Sequence, residues 1–218
     1  MRNFYKKAFT LSEVLLALAL VGIIAAMVIP GTMHHANQKM LTAQIKNTVV
    51  ALQDMAQEQI SASSTKMLVD TDFVSADALL TSGNFDIARK CTDTDICWAD
   101  AYKTLSSSSV SVSQAGILLK NGVAINYEII ENPDDNPYSD TNTKEHYYGT
   151  FFVDVNGVDK PNLLGRDLFI FKITDKGRIG GNLANENSKD DLKTACRNGS
   201  DTSACHTYLE LNGWNMDY

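Results

Sequence analysis

Positive charge is scarce in this sequence of 218 residues. Lysine and arginine number 19 against 26 acidic residues, so the formal net charge is −7 and the isoelectric point is near 5.0. The chain as a whole therefore lacks the basic field that attracts nucleic acid phosphates, and nucleic acid is not an expected partner. Basic residues are concentrated at the N-terminus, where Arg2, Lys6 and Lys7 precede the first acidic residue, Glu13.

Signatures of catalysis are also missing. The sequence has no nucleophile elbow, no zinc-protease helix motif, no phosphate-binding glycine loop and no dinucleotide fingerprint. Two histidines, His146 and His206, are expected in loops without a fixed partner. We therefore predict that the protein is not an enzyme and that it needs no cofactor.

The cysteines include no pair at the Cys-x-x-Cys spacing of structural zinc sites. All four lie downstream of a long hydrophobic segment, on the side that an export signal would deliver outside the cytoplasm. Disulfide bonds are therefore expected. The two short loops Cys91–Cys97 and Cys196–Cys205 are the simplest pairing, and the crossed pairings stay open.

A run of sixteen apolar residues occupies positions 14–29. Counted from Phe9, the segment makes a helix of about 31 Å, which matches a hydrocarbon core of about 30 Å. Lys6 and Lys7 favour the cytoplasmic side, so we expect a single pass with the N-terminus inside and the rest of the chain outside. Two alternatives stay open: a secretory signal cleaved near Ala25 or beyond Gly31, and a plain membrane anchor.

The helical pattern continues beyond the membrane segment. Apolar residues recur at intervals of three and four with polar residues between them, which predicts an amphipathic helix over 31–61. The predicted buried positions are Leu41, Ile45, Val49, Leu52, Ala56 and Ile60. Pro30 removes one backbone hydrogen bond between the two parts, 9–30 and 31–61, so we expect a kink or a local loosening there.

The segment 6–13, with the sequence KKAFTLSE, precedes the apolar run and Pro30. Together they resemble the processing signal of type IV pilins and of the pseudopilins of type II secretion systems. The resemblance implies that residues 1–8 are a leader that prepilin peptidase removes by cutting after Ala8, where the family usually has glycine. It also implies that Phe9 becomes the methylated N-terminus of the mature chain.

Glu13 lies at the start of the apolar run, where an unpaired carboxylate is costly. The resemblance implies that this carboxylate pairs with the N-terminal ammonium of a neighbouring subunit during assembly. It implies a structural subunit, major or minor, of a type IV pilus or a secretion pseudopilus, whose partners are other subunits, prepilin peptidase and the inner-membrane assembly platform. The alternatives are a tip-located minor pilin that acts as a binding or adhesion module, and a simple N-terminally anchored extracytoplasmic protein.

The outer part of the chain, 62–218, has the pattern of an antiparallel sheet over about 109–175. Two apolar runs flank an Asn-Gly turn in 116–130, which is a strong hairpin signal. A polar stretch follows as a surface loop over 131–146, and further strands are predicted over 147–157 and 167–173. A helical spine with this sheet packed on its outer part gives an α+β architecture, which agrees with the pilin fold.

Two features of the outer domain invite a more specific hypothesis. Asp154, Asn156 and Asp159 could supply oxygen ligands for calcium, or could hold a turn through their own backbone. At the C-terminal end, Trp214 and Tyr218 are expected to anchor the tail onto the sheet. The Cys196–Cys205 bond would then pin the loop before that tail.

Overall fold

A computed structural model describes residues 10–73, 77–78, 85–92, 96–130, 146–180 and 188–218. The chain divides into two compact units, residues 1–39 and residues 40–218. The first unit is helical from Leu11 onward, and the second combines helices with antiparallel strands. The surface loop predicted over 131–146 lies outside the described residues except for His146.

Helix α1 spans Leu11–Ala62 and is the longest element of the protein, with 52 residues. Its first part is apolar on every side, and its second part alternates apolar and polar residues with helical spacing. The helix continues through Pro30. The bend that this proline predicts stays a prediction.

The second part of α1 contributes one side of the hydrophobic core of the larger unit. All six positions that the periodicity predicts are buried, and Met55 is buried with them. Complete burial of one such aliphatic side chain contributes about 1.5–3 kcal/mol, so this stripe is a major source of stability for the larger unit. The predicted packing of a helical spine against the sheet is confirmed, since the stripe from Leu41 to Ile60 shares one hydrophobic core with the strands.

Over the described residues, the central sheet has six strands, and every neighbouring pair is antiparallel. The strands of the central sheet are β1 Ile87–Cys91, β4 Gly116–Leu119, β5 Ala124–Ile129, β6 Tyr147–Asp154, β7 Leu168–Thr174 and β8 Ile179–Gly180. A separate hairpin consists of β2 Tyr102–Lys103 and β3 Ser109–Val110. The order in the central sheet is β1-β4-β5-β6-β7-β8, while β2 and β3 form a separate two-stranded sheet. The α+β architecture expected from the sequence is confirmed.

The sheet extends beyond the predicted span of about 109–175 at both ends of the sequence. Strand β1 was missed because Ala88, Arg89 and Lys90 are exposed, so the strand shows no alternation of apolar and polar residues. Its pairing with β4 is a tertiary contact that local pattern does not reveal. Strand β8 is only two residues long and follows the turn after β7.

One polar side chain ties α1 to the edge of the sheet. The Nε2 group of Gln53 donates a hydrogen bond to the carbonyl oxygen of Gly177 at 2.5 Å. Its Oε1 atom accepts a hydrogen bond from the backbone N–H of Ile179 at 2.7 Å. Gln53 therefore provides hydrogen-bond partners for two backbone groups at the connection between β7 and β8. These two bonds also fix the position of α1 against that connection.

The C-terminal region contains two helices that the sequence analysis did not predict, and the predicted Cys196–Cys205 bond joins them. Helix α2 spans Lys189–Asn198 and helix α3 spans Ala204–Leu211. A capping box begins α2, since Ser188 accepts from the N–H of Asp191 and the Asp191 side chain accepts from the N–H of Ser188. This Ser-x-x-Asp spacing is visible in the sequence and could have located the helix.

The last residues pack on these helices and on a turn before β7. The Tyr218 hydroxyl donates to the carbonyl oxygen of Gly165, and its ring contacts Tyr208 of α3 edge to face at 5.4 Å between centroids. Trp214 is half-buried and lies edge to face against His206, with 5.9 Å between ring centroids. The two aromatics thus anchor the tail mainly through α3.

His206 lies on α3 and is completely buried, so the prediction that it occupies a loop is wrong. Its ring packs against Phe171 of β7 at 4.7 Å between centroids. Burial lowers the pKa of His206 from its ordinary 6.5 to about 3, because the charged imidazolium cannot be solvated there. The ring is therefore neutral in the folded protein at pH 7.

Acidification should destabilise the protein through His206. Its pKa is lower in the folded than in the unfolded chain, so below pH 6.5 protons bind preferentially to the unfolded chain. The free energy of unfolding then changes by at most about 1.4 kcal/mol per pH unit for this one group. Between pH 7 and pH 5, His206 alone lowers the free energy of unfolding by about 2 kcal/mol. We expect His206→Leu to reduce the pH dependence of unfolding by that amount, measured by urea denaturation of the full-length chain in detergent with tryptophan fluorescence.

The control variant for this experiment is His35→Leu, since His35 lies exposed on α1 in the smaller unit. It should keep the pH dependence of the wild-type protein. Equal slopes for wild type and His206→Leu between pH 7 and pH 5 would contradict the role of His206.

A second prediction concerns Gly165. Its φ is +84°, and a Cβ placed there would lie 2.8 Å from Cys205 Sγ and 2.9 Å from Cys196 Sγ. Gly213 has a φ of +62°, but a Cβ there would meet nothing within 4 Å. Both alanine variants carry a left-handed backbone cost of about 1–2 kcal/mol, and Gly165→Ala adds about 1–3 kcal/mol of overlap with the disulfide. Urea denaturation should give a lower free energy of unfolding for Gly165→Ala than for Gly213→Ala. Equal free energies of unfolding would contradict the close packing of Gly165 against the Cys196–Cys205 bond.

Candidate functional site

The N-terminal part of α1 has the dimensions of a membrane span. Leu11–Ile29 covers 19 residues with a mean hydropathy of 2.5. At 1.5 Å per residue this segment is about 28 Å long, close to the thickness of a hydrocarbon core. Among the described residues it is the one helix that is long and apolar enough to cross a membrane.

None of this segment is buried within the protein. Leu11 is 78% exposed and Met27 is 77% exposed, and the large apolar residues between them are also exposed. Apolar surface of this size is unfavourable in water, at about 25 cal/mol for each Å². It requires lipid or other apolar helices as its surroundings.

The start of α1 is capped by side chains that the motif contains. Thr10 lies immediately before the first helical residue, and its carbonyl oxygen accepts the first helical hydrogen bond, from the N–H of Val14 at 3.2 Å. The Thr10 N–H and hydroxyl each donate to Glu13 Oε2 at 2.8 Å. In return, Thr10 Oγ1 accepts from the N–H of Glu13 at 3.3 Å. This is a capping box formed by Thr10 and Glu13.

Glu13 therefore has a local structural role that the sequence interpretation missed. The signal was present, because threonine followed by glutamate three residues later, before an apolar run, is a typical helix start. Both donors from Thr10 bind Oε2, so Oε1 can accept from a further donor. A negative charge in the first turn also interacts favourably with the positive end of the helix dipole. The geometry allows Glu13 to cap its own helix and to accept from a cation on another chain.

The remaining residues of the predicted processing site lie outside the described residues. These are Lys6, Lys7, Ala8 and Phe9. Pro30 lies within α1, downstream of the apolar segment. The structure therefore brings together Thr10 and Glu13 from this group.

Both short-loop disulfides are present. Cys91 is bonded to Cys97, and Cys196 is bonded to Cys205. All four cysteines are buried, and the described cysteines include no free thiol. The second bond encloses the connection between α2 and α3, and the first encloses the end of β1 and the segment after it.

The three predicted calcium ligands form a hydrogen-bonded turn after β6. Asp154 is completely buried, and its Oδ2 accepts a hydrogen bond from the Tyr102 hydroxyl. Its Oδ1 accepts from the N–H of Asn156 at 3.0 Å. The Asn156 amide nitrogen donates to the carbonyl oxygens of Asp159 and Lys160 at 3.0 and 3.1 Å. Both oxygens of the most buried carboxylate are thus engaged by donors of the same chain.

Burial dominates the electrostatics of this turn. It raises the pKa of Asp154 to about 7, although the hydrogen bonds from Tyr102 and Asn156 act in the opposite direction. Asn156 Oδ1 is buried and has no hydrogen-bond partner among the described residues. The described residues contain no cluster of three or more His, Cys, Asp or Glu side chains that could hold a metal ion. The arrangement fits a turn rather than a calcium site, and calcium binding stays a prediction.

Comparison with known proteins shows a likeness at the N-terminus. Residues 3–29 match the family described as the prokaryotic N-terminal methylation motif. No curated protein and no solved structure matches the chain. The match includes the predicted processing residues, Thr10, Glu13 and the exposed apolar segment of α1.

The matched motif and the structure agree on the nature of the N-terminus. The motif indicates a precursor that is processed at its N-terminus, and the exposed apolar helix is consistent with a membrane-anchored precursor. An association with other subunits and with a processing peptidase follows in general terms from the motif. The chain carries the prokaryotic N-terminal methylation motif, the signature of type IV pilins and pseudopilins, on an α+β pilin-like architecture.

Proposed function

We propose that the protein is a structural subunit, major or minor, of a bacterial type IV pilus or of a type II secretion pseudopilus. The observation that carries the proposal is the exposed apolar segment Leu11–Ile29, which lies within the matched methylation motif and begins at the Thr10–Glu13 cap. In this reading the protein acts by assembly and is not an enzyme.

Assembly exchanges one apolar environment for another. Before assembly, the segment lies in the inner membrane, where lipid covers the side chains that are exposed in the isolated chain. An inner-membrane assembly platform then extracts the subunit, and the same side chains pack against the corresponding segments of neighbouring subunits. Because both environments are apolar, the transfer avoids exposing the segment to water.

The proposed topology follows from charge. Lys6 and Lys7 stay on the cytoplasmic side, and the larger unit, residues 40–218, lies outside the cytoplasm. Two disulfide bonds in that unit agree with an oxidising compartment. Prepilin peptidase would cut on the cytoplasmic face, after Ala8.

Glu13 is proposed to select the assembly position of each subunit. Its Oε2 atom is held by Thr10, which restricts the side chain, while Oε1 can accept from the N-terminal ammonium of a neighbour. In an apolar bundle, a buried charge without a partner is strongly destabilising, whereas a paired and hydrogen-bonded charge is tolerated. A misplaced subunit would leave the ammonium and the carboxylate both unpaired.

Mass spectrometry of the mature protein tests the processing step. Purification from the native membrane should yield a chain that begins at Phe9 with one methyl group on its α-amino nitrogen. A peptidase-deficient strain should yield the unprocessed chain that begins at Met1. An intact Met1 in the wild-type strain would favour the simple anchor, and a start near Thr32 would favour a secreted protein.

Substitution of Glu13 tests the assembly step and separates charge from capping. Glu13→Ala removes both, whereas Glu13→Gln removes the charge but keeps an acceptor that suits a capping box. We expect both variants to remain in the membrane and to be depleted from filaments by at least about tenfold, because each leaves the neighbour's ammonium unpaired. Immunoblots of sheared filaments and of membranes measure the two pools.

Thr10→Val is the matched control for this experiment. It removes the capping hydroxyl but keeps the carboxylate, so it should enter filaments at close to the wild-type level. Wild-type filament content for Glu13→Gln, with loss for Thr10→Val, would show that the cap matters and that the proposed ion pair does not.

A further inference from the structure

A pocket lies between two connections of the larger unit, the segment that precedes β2 and the turn that follows β6. Ile96, Trp98 and Asp100 line it from the first connection, and Val158 and Asn162 line it from the second. Its volume is about 320 Å³, at the lower end of the range for sites that hold small ligands. We call it the Asp100 pocket. Its size suits one long side chain of a partner.

The two connections are joined to each other and to the sheet. The N–H of Lys103 in β2 donates to the carbonyl oxygen of Asn162 at 3.2 Å. Trp98 Nε1 donates to the carbonyl oxygen of Ala115, just before β4, at 3.1 Å. The disulfide bond of Cys97 ties the first connection to the end of β1. The walls are therefore fixed before a partner arrives, and binding costs little conformational entropy.

Two of the lining residues expose apolar side chains. Ile96 is 74% exposed, and Val158 is 47% exposed. The Arg89 guanidinium donates to the carbonyl oxygen of Ile96 at 2.7 Å, so the backbone that carries this exposed side chain is held in place. Arg89 itself does not line the pocket. The methylene groups of a long side chain would cover Ile96 and Val158 and remove their apolar surface from water.

Asp100 is the charged residue among those that line the pocket, and it is exposed. Within the described part of the chain, its carboxylate forms no ion pair and accepts no hydrogen bond. Other aspartates of the larger unit differ, since Asp77 lies 2.5 Å from the ammonium of Lys90 in an ion pair. The Asp100 carboxylate is thus available to a cation from outside the chain.

An arginine side chain matches these features better than a lysine does. Its planar guanidinium can donate two parallel hydrogen bonds to one carboxylate, and it is more weakly hydrated than an ammonium. Arginine is also among the residues that most often dominate the binding energy of protein interfaces. The chain has a formal net charge of −7, so long-range electrostatics favour a basic partner over a second copy of this chain.

We propose that the Asp100 pocket binds an exposed arginine of a basic partner protein. The guanidinium binds the Asp100 carboxylate, and the methylene groups pack on Ile96 and Val158. This inference concerns the larger unit and does not depend on the assembly function proposed for α1.

An NMR titration of the full-length protein in detergent tests this proposal, with isotope-labelled tryptophan as the reporter. The chain has two tryptophans, of which Trp98 lines the pocket and Trp214 does not. The probes are capped tripeptides with alanine at both ends and arginine, citrulline or lysine in the centre. Citrulline keeps the shape of arginine but lacks its charge.

The arginine peptide should shift the Trp98 indole signal with half-saturation on the order of 1 mM, and it should leave the Trp214 signal in place. The citrulline peptide should bind at least about tenfold more weakly, since the charge-assisted hydrogen bonds are lost. The lysine peptide should also bind more weakly than the arginine peptide, because an ammonium cannot form the paired hydrogen bonds.

Four exposed positions supply the variants. Asp100→Asn should weaken binding of the arginine peptide at least about tenfold, and Ile96→Ala should weaken it roughly threefold. The matched controls are Asp72→Asn and Leu211→Ala, which remove an exposed carboxylate and an exposed apolar side chain outside the pocket. Both controls should bind like wild type, and urea denaturation should be unchanged in all four variants.

The proposal is overturned if a roughly tenfold higher concentration of the arginine peptide leaves the Trp98 signal unchanged, or if Trp98 and Trp214 shift alike. It is also overturned if the citrulline or lysine peptide binds as tightly as the arginine peptide, or if Asp100→Asn binds like wild type. A Trp98 shift on dilution of the protein alone would assign the pocket to a second copy of the chain, and it would overturn the proposal of a different partner.

Discussion

Burial of apolar surface along α1 is the constraint on which the rest of the protein depends. One helix carries two kinds of apolar surface: residues Leu11–Ile29 are apolar all round, whereas the second part is apolar on one stripe. The stripe is buried within the larger unit, beneath the central sheet, so it finds its partner in the same chain. The apolar surface of Leu11–Ile29 is not covered by the described residues of the chain. The stripe therefore stabilises the fold, whereas the surface of Leu11–Ile29 is available to lipid or to other subunits.

Polar groups within the larger unit are placed where they complete this burial. Gln53 supplies both a donor and an acceptor to the β7–β8 turn, so the helix contacts the sheet without leaving that backbone unpaired. Asp154 accepts a hydrogen bond from the N–H of Asn156 in the turn after β6, and a second one from the Tyr102 hydroxyl. His206 is different, because it is buried between aromatic rings and stays neutral. Asp154 and His206 make the stability of the unit depend on pH in opposite directions. Burial raises the pKa of Asp154 and lowers the pKa of His206.

Some elements of the structure could be predicted from the sequence and others could not, and the difference has a physical reason. The buried stripe of α1 from Leu41 to Ile60, the hairpin of β4 and β5, and strands β6 and β7 were predicted, because each carries its own apolar period or turn signal. Strand β1 has three exposed residues in a row and becomes a strand only by pairing with β4. Helices α2 and α3 were not predicted. The start of α2 was indicated in the sequence by Ser188 and Asp191, which have the spacing of a capping box. At the candidate site, the importance of Glu13 was predicted and its bond to Thr10 was not.

By itself the sequence determined the processing motif, the apolar segment, the amphipathic stripe and the likeness to pilins, since these are periodic or local features of the chain. Only the tertiary structure decided which groups meet across long separations. It buried His206 against Phe171, joined Asp154 to Tyr102 by a hydrogen bond, and joined the β2–β3 hairpin to the end of α2 through the hydrogen bond from Ser106 to Arg197. The reason is that periodicity specifies which face of an element is buried, whereas the identity of the residue on the opposing face depends on how the whole chain packs.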